Sequence, residues 1–186
     1  LFAPISREGA LVINNLFLAA ATGTVLFGTL FPLLGDAFGY KVSVGAPYFN
    51  TVFVWLMIPL VAVMAIGPLL TWKRGDLAGA LGRMKVAAAL SFAAIVLSWV
   101  WLEDGPLMSA FGMGLGVWLI CGVLVDLIGR LRFDGGIERA LLRVGRWPRS
   151  VWGMPAAHTG IAVVIFGIAA STAWQQERIL IMQSGE

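Results

Sequence analysis

Apolar residues in this chain fall into long unbroken blocks, not into the alternation of half-buried strands or the narrow stripes of soluble helices. Five blocks run roughly over 10–34, 51–70, 86–102, 107–128 and 151–171. Each is near the ~20 residues that cross about 30 Å of hydrocarbon. A lone span has to satisfy its own backbone polar groups, so every block predicts an α-helix. The pattern predicts an all-α, polytopic membrane protein with about five transmembrane helices within 1–172, and an extracytoplasmic segment starting at 173–186.

One polar connection has a pattern of its own. Ile137, Ala140, Leu141 and Val144 recur at helical spacing, with Arg139, Arg143 and Arg146 off that stripe. This predicts a short amphipathic helix on the membrane surface, started by Asp134-Gly-Gly136 and stopped by Trp147-Pro148. Anchoring to lipid and docking of a partner are its two readings.

Composition agrees with a bilayer as solvent. The chain is 59% hydrophobic and 12% charged over 186 residues, where a soluble domain is about half apolar and about a quarter charged. The single cysteine, Cys121, excludes an internal disulfide and any Cys-pair metal site. The sequence carries no Ser/His/Asp set in an aqueous loop, no carboxylate pair, no P-loop and no His/Cys cluster. No catalytic side chain is predicted.

Charge orients the helices. Of the 13 Lys and Arg residues, 11 fall on one side: Arg7, four within 71–85 and six within 129–150. Lys41 and Arg178 fall on the other. The positive-inside rule makes loops 71–85 and 129–150 cytoplasmic. It makes loop 35–50, the tight turn 103–106 and the tail 173–186 periplasmic, and the basic excess gives no reason to invoke nucleic acid. Within loop 35–50, Gly39, Gly45 and Pro47 predict turns, and Tyr48 and Phe49 either cap the flanking helices or meet a partner.

Most of the eight tryptophans sit near span ends, as in an interfacial belt. Trp152 has the alternative of stacking on a planar cofactor. Gly112 and Gly116 form a G-x-x-x-G pair that permits close helix contact. Gly160 and Gly167 admit either a neighbouring helix or a flat macrocycle.

His158 is the only histidine, and it lies inside the last block. An ionisable residue within a span is a functional candidate. Three readings stand side by side: a neutral ring bonded to a neighbouring helix, a proton relay, and an axial ligand of haem iron. A relay needs further ionisable groups at similar depth, and the central spans show none, with Asn14, Asn15 and Asp126 near the inner ends. Ligation needs a second ligand from elsewhere, because Met154 sits one turn away on the same helix. Arg146 and Arg149 are the candidate counter-charges for haem carboxylates.

Four segments carry a resemblance. Ser6-Arg-Glu-Gly-Ala-Leu-Val-Ile-Asn-Asn15, Gly28-Thr-Leu-Phe-Pro32, Ser43-Val-Gly-Ala-Pro-Tyr-Phe-Asn50 with Pro59 and Gly67-Pro68, and Gly153-Met-Pro-Ala-Ala-His-Thr-Gly160 resemble CcmF. That family is the large membrane subunit of the cytochrome c haem lyase of the bacterial inner membrane. The tail Glu177–Gly185 resembles the start of the family's extracytoplasmic domain. The resemblance covers the whole chain in order, and paralogues serving nitrite reductase maturation share it. It implies a part in attaching haem covalently to apocytochrome c, with a membrane haem b whose iron takes His158 as one axial ligand. The other histidine ligand and the family's tryptophan-rich loop would lie outside this stretch. The implied partners are other cytochrome c maturation subunits, a haem chaperone, apocytochrome c, membrane lipid and a quinol. The chain begins Leu-Phe-Ala-Pro and ends Met-Gln-Ser-Gly-Glu, so a middle-to-C-terminal piece of a longer protein is expected, inactive by itself. A transporter fragment and a structural module that docks an assembly partner are the alternatives.

Overall fold

A computed structural model describes residues 2–101, 106–131 and 136–174. The described residues form helices without strands: α1 (Arg7–Ala37), α2 (Ala46–Ile66) with a tight turn at Gly67–Leu69, α3 (Leu77–Arg83), α4 (Lys85–Trp101), α5 (Leu107–Arg130), α6 (Ile137–Val144) and α7 (Arg149–Trp174). The predicted turn 103–106, the start of the amphipathic helix at Asp134 and the tail from 175 lie outside, or partly outside, the described residues.

α1, α2, α5 and α7 are each long and apolar enough to cross a bilayer, and α3 with α4, bent by 57° at their junction, meets the same length and apolarity only as a pair. The chain is a polytopic helical membrane protein. α3 was not expected. Asp76 creates it by accepting the Gly79 amide at 2.9 Å, which caps a first turn that the basic loop would otherwise lack. α2 begins at Ala46, ahead of the predicted 51. Pro47 sits in its first turn, where no amide donor is needed and the fixed φ suits a helix. Tyr48 and Phe49 therefore belong to α2 and close on α1 at Gly28, where a Cβ would come within 2.7 Å of the Tyr48 ring. The Tyr48 hydroxyl donates to the Thr24 carbonyl at 3.3 Å.

α5 is the centre of the bundle and packs on α2, α4 and α7. Its glycines set the approach. A side chain at Gly116 would run into the Phe166 ring of α7, one at Gly114 into Ile95 of α4, and one at Gly122 would lie 2.8 Å from Ala65 of α2. Lipid tails are as apolar as leucine, so close packing rather than hydrophobicity holds membrane helices together, and small residues permit it. The core around this helix contains Val61, Ala65, Met84, Ala87, Leu119 and Ala162. Trp118 belongs to it and not to the interfacial belt, since its indole N–H donates to the Ala62 carbonyl of α2 at 3.0 Å.

α1 is held differently. It packs on α2, with only Gly9, Ala21 and Gly28 buried. Its Arg7 end is tied by a clasp of backbone bonds: the Ala3 amide to the Lys73 carbonyl (2.8 Å), the Gly75 amide to Ile5 (2.7 Å) and the Arg7 amide to Thr71 (3.0 Å). Ser6 caps α1 through the Gly9 amide at 3.0 Å. Glu8 accepts the Lys73 amide at 2.8 Å, which helps hold Lys73 at a left-handed φ of 63°. The Arg7 guanidinium lies 5.1 Å from the centre of the Trp72 ring.

Candidate functional site

α7 carries His158 into the bundle. Pro155, buried one turn earlier, is tolerated within this helix. His158 is half-buried and lines a cleft between α2, α5 and α7 with Met64, Ala65, Val123, Asp126 and Met154. Its Nδ1 lies 3.0 Å from the Met154 carbonyl oxygen. A carbonyl only accepts, so in a neutral ring Nδ1 carries the proton and Nε2 keeps its lone pair. Metal-bound histidines commonly have this arrangement, one ring nitrogen held by a backbone carbonyl and the other free to ligate.

The residues present fit a haem in one respect and limit it in another. Among the described residues, no three His, Cys, Asp or Glu side chains converge on a metal site. A metal at His158 would take its other donors from a cofactor or from outside the described residues. The cleft is closed, with no room for a water-sized sphere. A porphyrin does not fit between these helices as they stand.

The other predicted site residues separate. Trp152 does not line the cleft and instead pairs with Trp147, ring centres 5.6 Å apart. Gly160 faces open space, as do Gly153 and Gly167. Two residues from His158 is about 200° around a helix, so this glycine face looks away from the imidazole. Arg146 and Arg149 are exposed and line no part of the cleft.

Asp126 corrects the expectation that no ionisable group keeps company with His158. It is 8% exposed and shares the cleft wall. Its carboxylate takes Arg130 Nε at 2.8 Å and Nη2 at 3.1 Å, a bidentate i,i+4 pair. The signal was available in the sequence: a carboxylate in an apolar helix with arginine one turn on. Position along α5 alone did not reveal that the crossing of α7 brings the two residues to one cleft.

Comparison with known proteins gives relatives along the whole chain. It is 49% identical over 189 residues to the cytochrome c-type biogenesis protein CycK of Rhizobium meliloti, covering 100% of this chain and 28% of that protein. It is 42% identical to CycK of Bradyrhizobium diazoefficiens, again over 100% of this chain and 28% of the relative. With the cytochrome c-type biogenesis protein CcmF of Escherichia coli it shares 37% identity over 97% of this chain and 27% of that protein. The chain thus spans little more than a quarter of the length of these curated relatives. No family model matches it, and no solved structure matches it.

Proposed function

This chain belongs with the CcmF and CycK cytochrome c-type biogenesis proteins, and from that premise we propose that it holds a haem b in the membrane through His158, as part of a cytochrome c maturation haem lyase. The observation that carries the reading is the bond between His158 Nδ1 and the Met154 carbonyl, 3.0 Å long, which leaves Nε2 free to ligate. The Met154 carbonyl fixes the ring's orientation and tautomer. Met64, Val123 and Met154 line the cleft beside the imidazole. A haem held there would supply one-electron chemistry within the bilayer.

The partners that go with this reading are other maturation subunits, a haem chaperone, apocytochrome c and a membrane quinol as electron donor. The basic loops 71–85 and 129–150 face the cytoplasm in this arrangement, and the segment after α7 faces the periplasm.

The test is the reduced-minus-oxidised visible spectrum of the full-length protein, wild type beside His158→Ala. The expected result is a b-type haem signal in the wild type, lost in the variant, with membrane insertion unchanged. Full haem occupancy in His158→Ala overturns the ligand assignment. No haem in either returns His158 to a hydrogen-bonded packing residue.

A further inference from the structure

We propose that α6 lies on the bilayer surface and binds the phosphates of anionic phospholipids, whatever His158 holds. All six basic residues within 129–150 are arginine, against the two acids Asp134 and Glu138. A guanidinium donates two parallel bonds to a phosphate, whereas an ammonium offers only a point charge. The segment is thus built for anions, and phosphate is the anion its side chains fit best.

α6 has two faces. Ile137 and Leu141, four residues apart, share one and are 70% and 63% exposed. Arg139 and Arg143 share the other, about 200° around the helix from the apolar pair, and both are exposed. Ala140 is the one buried residue of α6 and seats an edge of it on the protein, which leaves Ile137 and Leu141 uncovered. Helices with bulky apolar side chains on one face and arginines on the other lie in membrane interfaces, and long basic side chains reach from there to the headgroups.

The chain fixes where α6 can be. Val144 precedes Arg149, the first residue of α7, by five residues, a reach of about 17 Å when fully extended. Two turn bonds shorten it, from the Arg146 amide to the Arg143 carbonyl and from the Trp147 amide to the Val144 carbonyl, both 3.0 Å. α6 is therefore held beside the end of a membrane span. The Trp147 and Trp152 rings, 5.6 Å apart, mark the same junction, and tryptophan gathers at the headgroup level.

The test is hydrogen exchange of the α6 amides in the full-length protein, held in nanodiscs of phosphatidylcholine alone or with one-third phosphatidylglycerol. A helix of eight residues is marginal by itself in water, so its exchange reports what covers it. Exchange over Ile137–Val144 should be about tenfold slower in the anionic discs, and added salt should narrow the difference. The double variant Arg139→Gln with Arg146→Gln should remove the difference. Both side chains are exposed and glutamine keeps helix propensity, so the fold is not at stake. Equal exchange in the two lipids overturns the proposal: if slow, a protein surface covers α6, and if fast, nothing does. A lipid dependence that survives the double variant overturns it as well, because the arginines then do not hold the headgroups.

Discussion

α1 and α5 look alike by hydropathy and are used differently. Their most apolar windows have mean hydropathies of 1.8 and 2.1, yet 11% of the first is buried within the protein and 39% of the second. α5 meets three helices through glycines set at different angles around its axis, while α1 leans on α2 and is clasped at one end. In water, apolarity decides which residues go inside. In a bilayer both helices are already in an apolar solvent, so fit decides, and the small residues on α5 are what allow fit.

The comparison breaks most sharply at Gly116. Gly116→Leu drives a side chain into Phe166, and we expect a loss of about 3 kcal/mol in detergent unfolding, with α7 displaced. Ser6→Ala should cost about 1 kcal/mol through the lost cap and should open the clasp to proteases before the rest of the bundle. Trp118→Phe removes the indole bond to Ala62 and should cost about 0.6 kcal/mol, a typical value for a hydrogen bond between membrane helices. Gly23→Leu is the control on α1. A side chain there meets nothing, so stability should stay within about 0.5 kcal/mol of wild type. If Gly23→Leu destabilises as much as Gly116→Leu, the contrast between the two helices is wrong.

The helices were legible because span length and apolar blocks are local properties of the chain. Observed ends extend the predicted 10–34 to Arg7–Ala37 and 151–171 to Arg149–Trp174, since capping by Ser6 and helical polar residues at the ends lie outside the apolar blocks. The amphipathic helix appeared where Ile137, Ala140, Leu141 and Val144 placed it. α3 is not legible in the sequence because seven residues give too short an apolar pattern and its start depends on a single capping side chain, Asp76. At the candidate site, His158 stood out by type and depth, and its bond to Met154 is local, one turn away. Asp126 did not stand out, because its place on the same cleft as His158, 32 residues on, depends on how α5 and α7 cross. The glycines of α7 show the same limit in reverse. Gly160 is close to His158 along the chain and on the far side of the helix from it.

The clasp also puts the protein's assembly on a schedule. Glu8 and the Lys73 amide it binds are 65 residues apart. At ribosomal rates of about 5–20 residues per second, that separation is about 3–13 s of synthesis. Once Ala37 has been made, α1 is complete with its Arg7 end unfastened for the rest of that interval, and the arrival of Thr71–Gly75 is the event that locks it. A slower ribosome lengthens the interval in which α1 can pair wrongly. A synonymous codon change between 9 and 70 can then alter the yield of correctly assembled protein without altering a single residue.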